Sequence, residues 1–209
     1  MSRFAWAGVL LYAVGCHLPT QPLSASFSAQ GDTEALAGAK VAPAVEARFG
    51  GVVQDPIAEQ RMTLIAHQLA KASLELHAPF RCRLLASNQT NAVSLPGGRI
   101  YLTQGLYHKL SDDASIAAVL AHEMAHIIAK DHFKPRCRNL DDALARELAA
   151  DKKGAVYLEA AGFSPQALIA PIGLIRSIQP SGWADIRIAN LSNNSVGSDI
   201  QLTYFNHTH

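Results

Sequence analysis

His122-Glu123-Met124-Ala125-His126 is the stretch of this 209-residue chain whose residue types and spacing could do chemistry. Two histidines four apart on a helix lie one turn from each other on the same face, so both imidazoles can reach one metal ion. The glutamate beside the first histidine can then act as general base toward a water that the metal acidifies. A shuffled chain of this composition would contain such a pattern on the order of 0.01 times, so chance is a poor explanation. The competing reading is a buried helix whose two histidines are merely hydrogen-bonded.

A catalytic metal site needs a third protein ligand and one open position. Downstream, Asp141 to Asp151 reads as the start of a second helix, capped by Asp141 and Asp142. Glu147 and Asp151 are four apart and share a face. That spacing lets Glu147 bind the metal while Asp151 accepts a hydrogen bond from a ligating imidazole and fixes its tautomer. Taken alone, these residues would be a solvated acidic face beside Arg146, Lys152 and Lys153. Paired with the histidine motif, the ligand reading is the stronger one.

The surrounding pattern supplies the elements that must position these side chains. Ser111, Asp112 and Asp113 can cap a helix, and Ile116, Val119, Leu120, Met124, Ile127 and Ile128 give it a broad apolar face, so a helix is expected from about Asp112 to Lys130. Asp55-Pro56 opens an earlier helix whose buried stripe is Ile65, Leu69, Ala72 and Leu76. Arg81 to Ser87, Ala92 to Leu95 and Arg99 to Thr103 read as short strands, the last two joined by the Pro96-Gly97-Gly98 turn. Gly162 ends the Glu147 helix, and Ser164-Pro165 caps and opens another running towards Ile178. This order of helix, small sheet and helices predicts an α+β domain, mainly helical, with one strand edge facing the cleft.

With these motifs in place, the chain resembles the HtpX and CAAX-prenyl-protease type of zinc metallopeptidase, a gluzincin family, and in particular its short bacterial envelope members. The resemblance rests on H-E-x-x-H followed by E-x-x-x-D at Glu147 and Asp151, and on three further stretches. Asn91 to Leu106 is similar to the family's Asn-Ala…Pro-Gly-Gly segment, Glu147 to Phe163 to its Glu-x-x-Ala-Asp…Ala-Gly-Phe stretch, and Phe49 to Asp55 to its opening. It implies a zincin-like fold and one zinc ion per chain on His122, His126 and Glu147, with Glu123 as the general base of peptide hydrolysis. It also implies substrates among unfolded or misassembled envelope proteins and a link to outer-membrane assembly machinery. Two departures stand out. Relatives usually place a histidine where this chain has Asp131, with His132 one step later, and the chain ends at Thr208-His209 where relatives typically read His-Pro and continue.

A strand near Asn91, Ala92 and Val93 could hold an extended peptide by backbone pairing, or could be an ordinary sheet strand. Proteolysis also needs a donor for the oxyanion; His132, Tyr204, His207 and His209 are the candidates. A second function class is a protease-like lipoprotein that holds clients as a chaperone or assembly module without cutting them. Such proteins commonly lose the base or a ligand, and here all four residues are present.

The formal charge of +1 gives no electrostatic reason to expect nucleic acid. Arg3 followed by the apolar run from Phe4 to Gly15 reads as an export signal over residues 1–15, and Ala13-Val14-Gly15-Cys16 resembles the bacterial lipobox. Cys16 would then be the lipidated new N-terminus; a plain signal peptide or an uncleaved anchor is the alternative. His17, rather than an aspartate, follows it, which by analogy favours an outer-membrane lipoprotein facing the periplasm over a soluble periplasmic protein. Residues 16–48 are read as a flexible tether, 49–178 as the metallopeptidase domain, and 179–209 as an irregular segment, either a short natural form or a truncated one. With Cys16 used, Cys82 and Cys137 remain as a candidate disulfide or as two separate thiols.

Overall fold

The computed structural model describes residues 30–73 and 79–193. Seven α-helices and four strands lie in these segments: α1 (Gln30–Arg48), β1 (Val52–Val53), α2 (Pro56–Ala72), β2 (Arg81–Leu85), β3 (Ala92–Leu95), β4 (Arg99–Thr103), α3 (Gln104–Tyr107), α4 (Asp113–Ile128), α5 (Leu140–Ala160), α6 (Ile169–Leu174) and α7 (Trp183–Asn193). This is the expected α+β class, mainly helical around a small mixed sheet.

The sheet order is β1-β2-β4-β3. β2 runs parallel to β4, with Arg81 opposite Arg99 and Leu85 opposite Thr103, while β3 pairs antiparallel with β4 from Ala92–Leu102 to Leu95–Arg99. The hairpin between them closes through Gly97 and Gly98, both at positive φ (76° and 83°), a conformation that favours glycine. β3 is therefore a sheet edge, and α4 packs beside it.

α4 is the centre of the molecule. Asp112 caps it, accepting from the Ser115 backbone N–H at 2.8 Å, and the Ser115 hydroxyl answers the Asp112 N–H in a reciprocal box. Every residue from Ser115 to Ala125 is buried, because α2, α5 and the sheet enclose the helix. α2 starts as expected, with Asp55 accepting from the Ala58 N–H and Pro56 in the first turn, and it packs Met62, Ile65 and Leu69 inward. Leu76 lies outside the described residues.

Several expectations are corrected. The tether expected over residues 16–48 ends by Gln30, where α1 begins; residues 16–29 lie outside the described residues. Val41, Ala42 and Val45, with Phe49 after the helix, pack on Leu85, Val93, Leu95 and Tyr101, covering the sheet face away from α4. Its small residues and an internal Pro43 hid the helix; its order comes from that sheet face. The segment 179–209 is not irregular throughout, since α7 forms there and buries Trp183, Arg187 and Leu191; residues 194–209 lie outside the described residues. α5 is capped by Asn139, which accepts from the Asp142 N–H, rather than by the aspartates. The single helix expected from Ser164 to Ile178 is broken into Pro165–Leu168, α6 and Arg176–Ile178, and Pro171 removes a backbone donor within it. The candidate disulfide between Cys82 and Cys137 is not formed: their sulfurs are not bonded to each other. Cys82 is locked on β2 inside the core, where burial, and Glu59 after it, push its thiol up to about 12, whereas Cys137 lies half-buried in the loop before α5.

Candidate metal centre

Two helices build the site. α4 carries His122, Glu123 and His126 one turn apart, and α5 carries Glu147 and Asp151 on the stripe that continues to Gly154. The helices come close at Gly154, where a Cβ would lie 3.2 Å from the His122 backbone nitrogen. Any larger residue there would push α5, and with it Glu147, away from the histidines.

His122 Nε2 lies 3.1 Å from His126 Nε2, and these atoms stand 3.4 and 3.5 Å from the Glu147 carboxylate oxygens. Four tetrahedral ligands at about 2.0–2.2 Å from a metal stand about 3.3–3.6 Å apart, so the triangle has the dimensions of a metal site. The remaining ring nitrogens face carboxylates: His122 Nδ1 is 2.9 Å from Asp151 Oδ1, and His126 Nδ1 is 2.7 Å from Asp131 Oδ2. With Asp151 and Asp131 facing the Nδ1 atoms, both Nε2 atoms are turned toward each other, so a cation between them can take the place of the proton that His122 keeps when no metal is bound. Glu147 Oε2 is buried and accepts no hydrogen bond, although Arg187 Nη1 lies 3.1 Å away. His122, His126 and Glu147 could therefore hold a metal ion.

The two supports differ in origin. The Asp151 carboxylate is gripped by Arg187 of α7, whose Nε and Nη2 each donate to it at 2.7 Å; the same guanidinium donates to Gln179 Oε1. Arg187 and Asp151 are both buried. Asp131 comes from the turn that ends α4. Lys130 adopts a left-handed conformation there (φ 55°), folding Asp131 back onto His126, and Lys134 Nζ sits 2.7 Å from its other oxygen. Burial alone would raise Glu147, but Arg187 and the two histidines hold it down at about 2. Burial likewise would depress His122, yet Asp151 and Glu147 together lift it to about 10 when no metal is bound. Asp151 stays well below the usual range against its own burial, through Arg187 and His122.

The sequence-predicted residues fall into groups. His122, Glu123 and Ala92 line one pocket with Leu106, Val119, Ile172 and Arg187. Val93 does not join them: alternation on β3 turns it to the opposite sheet face, into the cluster beneath α1. Asn91, just before β3, buries a side-chain amide whose oxygen and nitrogen both lack a partner among the described residues. His132 is enclosed in the turn beside Asp131 and held down to about 4 by burial, with His126 adding to the effect; it does not line the pocket with Glu123. Tyr204, His207, His209 and Cys16 lie outside the described residues. Sequence reasoning missed Arg187, which no spacing rule connects to residues 36 positions earlier, and the support role open to Asp131, noted only as a departure.

A small α+β domain with a two-histidine, one-glutamate cluster on crossed helices is the architecture of a metallopeptidase. The family model for peptidase family M48 matches residues 56–144, less than half of the chain. A Yersinia pestis beta-barrel assembly-enhancing protease is 28% identical over 76 residues, 36% of this chain and 16% of its own length. Its Escherichia coli namesake is 25% identical over the same share of each chain. A Vibrio cholerae protein assigned to the same kind is 27% identical over 121 residues, 58% of this chain and 24% of its own. The chain thus matches a quarter or less of the length of these relatives. Among the described residues, no helix is long and apolar enough to cross a membrane.

Proposed function

We propose that this chain is a zinc-dependent endopeptidase that binds one zinc ion through His122, His126 and Glu147 and cleaves unfolded or misassembled proteins of the bacterial envelope. The observation that carries the reading is the triangle of His122, His126 and Glu147 ligand atoms beside Glu123, in a site whose pocket is lined by Ala92 of the edge strand β3. Zinc bound there supplies Lewis-acid polarisation of the scissile carbonyl and acidifies a water. Glu123, buried and in no ion pair among the described residues, takes the water's proton and passes it to the leaving amine nitrogen. Asp151 and Asp131 keep the two imidazoles in the tautomer that turns Nε2 to the metal. A peptide laid along β3 would pair by its backbone. The pocket beside Glu123 is walled by Leu106, Val119, Leu168, Ile172 and Ile175, which suits aliphatic side chains next to the cut bond.

The envelope setting rests on the export signal and lipobox-like ending at Cys16, and on the relatives named as beta-barrel assembly-enhancing proteases. A tie to the outer-membrane assembly machinery is part of the same proposal, and metabolic lipid labelling lost in Cys16→Ser would support the anchor. The decisive test is cleavage of casein or an unfolded porin with and without chelator, and restoration by zinc. Chelator-insensitive cleavage would remove the metal from the mechanism, and client binding without any cleavage by zinc-loaded protein would replace the enzyme with a holding module.

A further inference from the structure

We propose that Gln179 is a positioning residue of the metal centre: it draws an Arg187 N–H away from Glu147, so that Arg187 lends Glu147 its charge without taking the lone pair a metal needs. This role rests on the reading of His122, His126 and Glu147 as metal ligands. Glu147 has two needs that conflict. A buried carboxylate stays ionised only beside a cation, yet a cation that donates a hydrogen bond occupies the oxygen lone pair. Arg187 supplies the cation, its Nη1 3.1 Å from Glu147 Oε2, and still that oxygen accepts no hydrogen bond. Nη1 donates to Gln179 Oε1 instead, also at 3.1 Å.

The guanidinium is held at two places. Nε and Nη2 both donate to Asp151 at 2.7 Å, which fixes one edge and leaves the group free to tilt about it. Gln179 holds the opposite corner. Its backbone is extended (ψ 162°), as expected before Pro180, and it enters from the segment that leads into α7, eight residues before Arg187. The Oε1 end must face Arg187, because the turned amide would set Nε2 against Nη1, donor against donor. Nε2 itself is enclosed without an acceptor among the described residues, a cost that an apolar side chain of similar size would not carry. Stability alone therefore does not account for an amide here, whereas an acceptor for Nη1 does.

Titration of the full chain with zinc against a chromophoric chelator tests this, beside thermal melts of the metal-free protein. Gln179→Leu removes the acceptor, so Nη1 turns to Glu147, and the zinc Kd is expected to rise about tenfold. The metal-free variant should melt at or above the parent's temperature, since it loses an enclosed donor and gains a bond to Glu147. Gln179→Glu keeps an acceptor oxygen in place and should bind zinc at least as tightly as the parent. A residue that only fills space would move melting and zinc affinity together and would not separate the two variants. A zinc Kd within about twofold of the parent's in Gln179→Leu, or raised equally in Gln179→Glu, overturns the proposal. Gln179→Met is the second apolar variant, and metal-free melting that falls in step with zinc affinity in both apolar variants overturns it too. A parent that binds zinc but leaves casein uncut would remove the endopeptidase and leave this role standing; a parent that binds no zinc would remove both.

Discussion

His122 and His126 sit one turn apart on α4, yet their second nitrogens are held by different means. His122 leans on Asp151 from α5, which is clamped in the interior by Arg187 from α7, so three helices must dock before this support exists. His126 leans on Asp131 only five residues later, steadied by Lys134, whose side chain is 46% exposed. The first support is tertiary and dry; the second is local and partly wet. Charges in a dry site interact strongly but cannot lose a partner cheaply, whereas a solvated partner is replaced by water at small cost.

Glu123→Gln should have the largest effect and should touch neither support. Peptide cleavage is expected to fall about 10²- to 10⁴-fold while metal content and melting temperature stay near the parent's. An active variant would mean that another group moves the proton.

Arg187→Met tests the dry support most severely, because it leaves Glu147 and Asp151 buried without their cation. Loss of about 3–5 kcal/mol in denaturant unfolding of the metal-free protein is expected. A loss below about 1 kcal/mol would show that water reaches these carboxylates.

The same burial makes metal binding pH-dependent. His122 in the metal-free protein holds its proton up to about 10, and a metal must displace it. Apparent zinc affinity should therefore weaken by about tenfold per unit as pH falls below 10. The sign is opposite for the metal-free fold. Its folded-state value is raised above the unfolded value of about 6.5, so this contribution is complete below pH 6.5 and lost as pH rises through about 10. Metal titrations and melts across that window should move in opposite directions; parallel trends would show that His122 is not the group displaced.

Asp151→Asn and Asp131→Asn compare the supports directly. Each should weaken metal binding, within about 10–100-fold, with Asp151 at the upper end because its clamp is buried. Competition with a chromophoric chelator gives both values, and equal losses would erase the distinction. Lys134→Met should be mildest, about 0.2–1 kcal/mol on the metal-loaded fold and smaller still at high salt. A larger, salt-independent loss would place Lys134 in the interior.

What the sequence determined by itself was the chemistry that is local. The H-E-x-x-H spacing puts two imidazoles on one helix turn wherever that helix lies, and Asp112, Pro56 and the Pro96-Gly97-Gly98 turn mark boundaries through contacts a few residues long. Glu147 and Asp151 were legible as a pair because α5 repeats the same four-residue step. Tertiary structure decided the rest. α1 and α7 carry weak apolar patterns and owe their packing to the sheet face and to Asp151, so neither announces itself in the chain. Asp131 stood in plain view, but only the left-handed turn at Lys130 aims its carboxylate at His126. Val93 and Ala92 are neighbours in sequence and opposites in space, because a strand alternates its faces and only packing decides which one meets the cleft.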